Sequence, residues 1–292
     1  MSRPAVPKAN ADAPPRESAP QGAAVVPRSD APGQAEPEGA GRLGRLLLVP
    51  APLDFGCEQQ ASLDEVMPQG TLRAAAAITH WICENAKSAR AYLKRIDALQ
   101  PLAAPLQAQQ IQELPREVHK KGDHAGQFDA RPLLAPALAG NDVGLLSEAG
   151  MPAVADPGSS VVRAAHALGI TVVPLTGPVS LLLALAASGL NGQNFAFVGY
   201  LPQDAEARVH RIRELEALAL RGGQTQLFIE TPYRNAALLQ ALTQTLQPHA
   251  RLAVARGLTL AGCEVRCDTV KAWRAQPRKM DERLPAVFAI GR

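Results

Sequence analysis

Aromatic residues, cysteines and long apolar runs are all scarce in this chain of 292 residues. Aromatic residues make up 4% of the sequence, so the predicted core consists of Leu, Val, Ile and Ala side chains. Four scattered cysteines are too few for a disulfide framework and suit a reducing compartment. The longest apolar run, SLLLALAASGL over 180–190, is shorter than the ~20 residues that cross a bilayer, and no signal peptide is recognisable. The sequence therefore predicts a cytoplasmic protein without a membrane segment.

Several common ligand-binding motifs are also missing. The chain has no GxGxxG dinucleotide fingerprint, no GxxxxGK[ST] phosphate loop and no GxSxG nucleophile elbow. Cys263 and Cys267 lack a second Cys/His pair at zinc-ligand spacing, so no metal site is predicted. The balance of 30 Lys and Arg against 27 Asp and Glu permits a nucleic-acid partner without requiring one.

Composition divides the chain into three predicted parts. Residues 1–43 are rich in Pro and Ala and contain no aromatic residue, which predicts a disordered tail because little apolar surface is available for burial. A partner-binding arm is the alternative interpretation of this segment. From residue 44 onward, short apolar runs alternate with helical patterns. The turn-rich stretch GLNGQN at 189–194 places a boundary between an N-terminal domain, 44–191, and a C-terminal domain, 192–292.

Alternating strands and helices are typical of α/β architecture with a largely parallel sheet. Seven apolar runs predict strands: 45–49, 142–146, 171–175, 195–198, 225–229, 251–255 and 286–290. Four periodic segments predict helices: 159–168, 181–188, 205–220 and 235–246.

Three predicted strand-to-helix turns share one construction, in which a small or polar residue precedes a proline. Asp156-Pro157, Gly177-Pro178 and Thr231-Pro232 are interpreted as helix starts, since Asp, Gly and Thr are good N-caps and proline suits the first helical position. The segment before the first of them, LSEAGMPAVADPG at 146–158, follows a strand and holds two glycines and two prolines. That composition predicts a ligand-binding loop at the carboxyl end of the sheet.

The run 143–178, VGLLSEAGMPAVADPGSSVVRAAHALGITVVPLTGP, resembles the signature region of the S-adenosylmethionine-dependent tetrapyrrole methylase superfamily. It is most similar to the branch of ribosomal RNA small subunit methyltransferase I. Further segments are similar to that family in the same order: 83–96, 188–202, 228–234, 255–259 and 286–291.

The resemblance implies two α/β domains with S-adenosylmethionine in the cleft between them, usually in a homodimer. Backbone groups hold most of the cofactor in this family. By motif, the implied cofactor-binding residues are Gly150, Met151, Pro152, Val154, Pro178, Val179, Ser180, Glu230, Thr231, Gly257 and Ala286. The implied substrate side includes Pro50 and Pro52 after the first strand and Lys87 in the second motif.

Departures from the family pattern fall on the substrate side. Family members show an AEDTR-like motif where this chain has CENAK at 83–87, and SDAGTP where it has SEAGMP at 147–152. Glu84 and Glu148 are the candidate general bases, although either is equally a cap or a surface carboxylate.

Three functional hypotheses remain at this stage. The first is methylation of RNA, at the ribose 2′-oxygen of small-subunit ribosomal RNA, which the basic stretches 87–95 and 208–213 favour. The second is methylation of a tetrapyrrole or another small molecule. The third is a cofactor-binding protein that has lost catalysis.

Overall fold

Two five-stranded sheets organise the part of the chain that the computed structural model describes, which is residues 42–121, 123, 128–280 and 283–292. The predicted tail lies outside the described residues except for positions 42 and 43. Within the described ranges, no helix is both long and apolar enough to span a bilayer.

The bounds of the elements are as follows. The strands of the described chain are β1 Leu46–Val49, β2 His80–Cys83, β3 Gln110–Glu113, β4 Val143–Leu146, β5 Val172–Pro174, β6 Phe195–Tyr200, β7 Thr225–Glu230, β8 Arg251–Arg256, β9 Glu264–Thr269 and β10 Ala286–Gly291. Its α-helices are α1 Leu63–Val66, α2 Gln69–Ala76, α3 Ala86–Asp97, α4 Arg116–Lys121, α5 Ala135–Leu138, α6 Ser159–Ala167, α7 Ser180–Ser188, α8 Ala205–Gly222, α9 Asn235–Thr245 and α10 Val270–Ala275.

The first sheet is entirely parallel, with strand order β3-β2-β4-β1-β5. Successive side chains of β1 face opposite sides, so Leu47 joins the core under α2 and α3 while Leu46 joins the core under α5 and α6. Burial on both faces explains the continuous apolar run of β4, whose four residues are all buried.

The second sheet is mixed, with order β6-β7-β10-β8-β9. Only β6 and β7 pair in parallel, and β10 runs antiparallel between β7 and β8. The expectation of a largely parallel arrangement therefore holds for the first sheet and is wrong for the second. The physical reason is the short link 257–263 between β8 and β9, which allows a hairpin but not a parallel crossover.

All seven predicted strands and all four predicted helices are present, with small differences at their ends. Helix α7 packs against the second sheet, through Leu181, Ala184 and Leu185, although it precedes the predicted domain boundary at 191. The division into domains at 191 and 192 stays a prediction.

Two of the three predicted helix starts are wrong. Helix α6 begins at Ser159, and a distant residue, Asp123, accepts hydrogen bonds from the backbone N–H groups of Gly158 and Ser160 at 2.9 and 2.8 Å. Because Asp123 satisfies these donors, Asp156 is not the cap. Helix α7 begins at Ser180, two residues after Pro178. Only Thr231-Pro232 opens a helical segment as predicted, a short 3₁₀ turn over Pro232–Arg234.

An ion pair between the buried Asp54 and the partly buried Arg95 fixes the long loop after β1 onto helix α3. Both Arg95 amino nitrogens donate to the Asp54 carboxylate, at 3.0 and 2.8 Å, and the Asp54 side chain is only 4% exposed. The same two residues also bond the backbone of Ala61, at 3.0 and 2.7 Å. These bonds satisfy most of the polar atoms of the Asp54 and Arg95 side chains. The segment 54–61 of the loop is therefore held at both of its ends.

Replacing Asp54 with alanine should destabilise the fold by about 3 kcal/mol, because the partly buried Arg95 guanidinium loses its counter-charge. Urea denaturation measures the change in the free energy of unfolding. Asp129→Ala is the matched control, since its 2.8 Å pair with Arg131 is exposed and should contribute no more than ~1 kcal/mol. Equal losses in the two variants would contradict this role for Asp54.

Candidate functional site

A pair of backbone hydrogen bonds joins the loops that follow β1 and β4. The Ala51 N–H donates to the Gly150 carbonyl at 2.9 Å, and the Gly150 N–H donates to the Ala51 carbonyl at 3.0 Å. Strands β1 and β4 are parallel neighbours, so their carboxyl ends meet at one edge of the sheet. This edge is where open α/β sheets bind ligands.

The first of two cavities at this edge lies between the two sheets and is called here the inter-sheet cavity. Its volume is about 260 Å³. Its walls come from the loops of the first sheet, the start of α7 and strands of the second sheet. The lining residues are Leu53, Ala149, Gly150, Met151, Val154, Ala155, Asp156, Val179, Ser180, Leu181, Tyr200, Ile229, Glu230, Thr231, Pro232, Ala255, Leu258, Pro285, Ala286 and Val287.

Most of the residues implied as cofactor-binding line this cavity. Eight of the eleven do so: Gly150, Met151, Val154, Val179, Ser180, Glu230, Thr231 and Ala286. The other three, Pro152, Pro178 and Gly257, are buried behind the wall. The Gly257 N–H, for example, donates to the carbonyl of the lining residue Pro285 at 3.0 Å. The roles of all eleven toward a cofactor stay predictions.

Helix α7 points its N-terminus at the inter-sheet cavity. Its N-cap residue Val179 has no side-chain acceptor for the first-turn N–H groups, and Ser180 and Leu181 line the cavity. A helix start of this kind offers donors and a partial positive charge to a carboxylate or another anionic group.

The second cavity lies beside α3 and is called here the α3 cavity; its volume is about 570 Å³. One face of the helix, the loop after β1 and the end of β4 form its walls. The lining residues are Ala51, Pro52, Asp54, Phe55, Gly56, Cys57, Glu58, Gln60, Asn85, Lys87, Ser88, Ala91, Tyr92, Arg95, Leu146, Ser147 and Glu148. Since Ala51 and Pro52 line it while Leu53 lines the inter-sheet cavity, the start of the loop after β1 separates the two cavities.

Two of the three residues implied for the substrate side, Pro52 and Lys87, line the α3 cavity. Pro50 does not line it and is buried behind it, where its carbonyl accepts a 3.0 Å hydrogen bond from the Tyr92 hydroxyl. Gly177 packs against the Pro50 ring so closely that a Cβ at this glycine would lie 2.3 Å from the ring. The loops after β1 and β5 therefore approach each other only because residue 177 is glycine.

Left-handed backbone conformations recur in the loop after β4. Gly150 and Gly158 adopt positive φ angles, and so do two alanines, Ala153 at 63° and Ala155 at 67°. Alanine in this region is strained, and such strain persists where the surrounding structure imposes it, which is common at functional sites. The strained segment places Asp156 in the wall of the inter-sheet cavity.

Asp156 is the site residue that sequence reasoning assigned wrongly, because its Asp-Pro context is typical of a helix cap. Burial, together with the nearby charges of Glu84 and Glu148, raises the pKa of its carboxyl to about 7. Partial burial, together with the charge of Asp156, also raises the pKa of the Tyr200 hydroxyl on the opposite wall.

The candidate bases Glu84 and Glu148 belong to this same group of acids. The Glu148 backbone N–H donates to Glu84 Oε1 at 3.4 Å, and the Ser88 hydroxyl donates to Glu148 Oε1 at 3.3 Å. Glu148 lines the α3 cavity while Asp156 lines the inter-sheet cavity, so carboxylates stand on both sides of the dividing loops. A carboxylate of this group can accept a proton.

Glu230 takes part in a separate ion pair at the end of β7. Its Oε1 accepts from the Arg234 guanidinium at 3.1 and 2.8 Å and from the Thr231 N–H at 2.7 Å. The residue also lines the inter-sheet cavity.

Comparison with known families decides the class of this fold. A family model for tetrapyrrole (corrin/porphyrin) methylases matches residues 69–272, well over half of the chain. The chain belongs to the tetrapyrrole methylase family. The resemblance of its motifs to that family is thereby confirmed, and so is the expected α/β fold.

Relatives and a solved structure agree with this membership. Ribosomal RNA small subunit methyltransferase I of Pseudomonas aeruginosa is 30% identical over 216 residues, 74% of this chain and 67% of that protein. The protein of the same name from Mesorhizobium japonicum is 40% identical over 145 residues, 49% of this chain and 48% of that protein. The one from Vibrio cholerae is 36% identical over 137 residues, 47% and 46% of the two chains. With the last two, the chain spans about half the length of the relative.

The crystal structure of the methyltransferase CobJ shares the fold. Its TM-score is 0.53 at 19% sequence identity, and the match covers 85% of this chain and 94% of that chain. At this identity the likeness concerns the fold alone.

Asp156→Asn should make the ligand-free protein more stable at pH 8, on the order of 2 kcal/mol, and not at pH 4. The folded Asp156 carboxyl keeps its proton up to about pH 7, whereas an unperturbed aspartate loses it near 3.8. Between pH 3.8 and about pH 7, Asp156 is protonated in the folded state and ionised in the unfolded state. The free energy of unfolding of the wild type therefore falls as the pH rises through this range. Asparagine does not ionise and escapes this loss.

Urea denaturation at pH 4, 6 and 8 measures the difference. Glu206→Gln, which removes an exposed carboxylate in the first turn of α8, is the control and should follow the wild-type profile. A stability difference between Asp156→Asn and wild type that does not change with pH would rule out the raised pKa.

Proposed function

We propose that this chain is an S-adenosylmethionine-dependent methyltransferase that acts on RNA, with the ribose 2′-oxygen of small-subunit ribosomal RNA as acceptor. Membership of the tetrapyrrole methylase family and the names of the relatives support the reaction and the acceptor. The observation that carries the proposal is the pair of adjoining cavities, one suited to the cofactor and the other to the acceptor. The cytoplasm is the compartment where that acceptor is found.

The residues of the inter-sheet cavity fit the cofactor. Apolar side chains such as Met151, Ile229 and Val287 suit an adenosine moiety. The N-terminus of α7 suits the carboxylate end, and the carboxylates of Asp156 and Glu230 suit a cation and hydroxyl donors. The volume of about 260 Å³ lies close to the ~300 Å³ lower end for small-molecule sites. When bound, S-adenosylmethionine supplies an electrophilic methyl group on a positively charged sulfur.

The chain's own residues would position the acceptor and take up its proton. Loops held together by the Ala51–Gly150 hydrogen bonds fix the two cavities next to each other, and positioning supplies most of the rate in a direct displacement. An acceptor hydroxyl also has to lose a proton. A carboxylate of the group Glu84, Glu148 and Asp156 is the proposed acceptor of that proton, and a pKa of about 7 suits Asp156 to this task.

Titration calorimetry with S-adenosylmethionine, followed by transfer of a radiolabelled methyl group to 16S ribosomal RNA, tests the proposal. The wild type should bind the cofactor and label the RNA. Val154→Trp should weaken cofactor binding by about tenfold or more, since a large side chain at this exposed lining position fills the cavity mouth.

Leu138→Trp is the matched control, because Leu138 is similarly exposed on α5 and lines neither cavity. It should bind the cofactor like the wild type, and both variants should keep the wild-type melting temperature. Cofactor binding without labelling of RNA would favour a protein that has lost catalysis, and labelling of a tetrapyrrole instead would replace the proposed acceptor.

We further propose that the chain forms a homodimer through the face of the second sheet that carries α7. In the described chain, α8, α9 and α10 cover one face of this sheet, while α7 packs on the other. The outer side of α7 is apolar and exposed, with Leu182 at 50% and Leu183 at 40%. An apolar face of this kind at the surface is typical of a protein–protein contact.

The double variant Leu182→Glu, Leu183→Glu should sediment as a monomer where the wild type sediments as a dimer, since two buried carboxylates would oppose the apolar contact. Leu99→Glu, which changes an exposed leucine after α3, should leave the dimer intact. A wild-type chain that sediments as a monomer at micromolar concentration would contradict the proposed assembly.

A further inference from the structure

The α3 cavity contains a buried hydroxyl without a partner. Ser147 directly follows β4, is 5% exposed and lines the cavity, and its Oγ has no hydrogen-bond partner in the described part of the chain. An unsatisfied buried polar atom is costly and uncommon in a native structure. Its position in a cavity wall indicates that a ligand supplies the missing hydrogen bond.

Charges around the cavity limit what that ligand is. Among the described lining residues, the guanidinium of Arg95 is neutralised by Asp54, and Glu58 bonds Arg283 at 3.1 Å. Lys87 and Glu148 remain, and the Lys87 ammonium has no carboxylate within ion-pair distance in the described ranges. Of the lining residues that the structure describes, Lys87 alone can neutralise a ligand anion, and the Glu148 carboxylate repels further negative charge, so the lining accommodates at most one anionic group, placed at Lys87. A tetrapyrrole with several carboxylates would leave most of its charges uncompensated.

The α3 cavity also contains an aromatic side chain, in addition to the Ser147 hydroxyl and the Lys87 ammonium. Phe55 lines the α3 cavity and is 49% exposed, although it lies in a loop that the Asp54–Arg95 pair holds in place. Aromatic rings presented in this way are the usual stacking surfaces for unpaired bases. The cavity volume of about 570 Å³ is ample for one nucleotide but not for a stacked duplex.

We infer that the α3 cavity holds one unpaired nucleotide of the RNA acceptor, turned out of its stack, with its base on Phe55, its phosphate at Lys87 and a hydrogen bond to Ser147 Oγ. This inference rests on the proposed function, because it identifies the part of the RNA that enters the site. Extrusion of the nucleotide brings its ribose into a recessed cavity that admits one nucleotide and not a duplex.

Binding of a labelled single-stranded RNA oligonucleotide, measured by fluorescence anisotropy over a range of salt concentrations, tests the inference. The wild type should prefer the single strand to the same sequence in duplex form. Phe55→Ala should weaken binding about tenfold, as loss of a stacked base does. Lys87→Met should make the slope of log affinity against log salt concentration less steep, by the amount that corresponds to about one phosphate contact. Ser147→Ala should weaken binding several-fold without lowering the melting temperature, since the Oγ has no protein partner to lose.

Two variants serve as controls. Phe195→Ala removes an exposed aromatic ring on β6, and Lys94→Met removes a lysine from α3 outside the cavity lining. Both should bind like the wild type. Equal affinity for single strand and duplex, or Phe55 and Ser147 variants that match these controls, would overturn the inference.

Methyl transfer to 16S ribosomal RNA by the wild type is measured separately, so the two proposals fail independently. Transfer that proceeds equally in the wild type and in Phe55→Ala and Ser147→Ala overturns the inference and leaves the proposed function standing. Absence of transfer, with single-strand binding that still depends on Phe55 and Ser147, overturns the proposed function and supports the nucleotide site.

Discussion

Two backbone hydrogen bonds between Ala51 and Gly150 determine the geometry of the candidate site. They join loops that follow adjacent parallel strands, and each loop contributes to both cavities. Backbone bonds suit this role because they do not depend on side-chain identity. The motifs at 83–87 and 147–152 can therefore depart from the family pattern while the two cavities keep their relative position. Gly150 is required here because its φ of 72° belongs to the left-handed region and Leu53 packs 3.3 Å from the place of a Cβ.

The loop that carries Gly150 combines backbone strain with unfavourable electrostatics. Ala153 and Ala155 adopt left-handed conformations, and the carboxyl of Asp156 is placed near those of Glu84 and Glu148. Both features cost stability, and the rest of the fold offsets that cost through the buried first sheet and the cap that Asp123 provides to α6. Hydrogen bonds from the Ser159 and Ser160 hydroxyls, at 2.7 and 2.6 Å, complete that cap. Burial alone would raise the pKa of Asp123, but these bonds lower it to about 2. A site that concentrates negative charge is suited to a cationic cofactor and to the removal of a proton.

Much of the fold follows from the sequence, because apolar runs bounded by turn residues mark the buried strands. Strands β2 and β3 were not predicted, because their sequences, HWIC and QIQE, are short and contain polar residues. The polar residues of β3 fit its position at the edge of the sheet. The site was predicted less completely. Motifs gave most of the lining of the inter-sheet cavity, but Asp156 was taken for a cap because the true cap, Asp123, lies 35 residues away from Gly158. Phe55 and Ser147 carry no local signal, as their significance depends on which elements the fold places around them.

Amide hydrogen exchange at Ala51 and Gly150 tests most directly whether the two loops are held together as described. Both N–H groups donate across the bridge, so both should exchange much more slowly than the amides of the exposed Phe55–Gly56 turn, and at similar rates to each other. Exchange of either amide as fast as in that turn would mean that the loops are not joined, and the adjoining cavities on which the proposed chemistry depends would lose their basis.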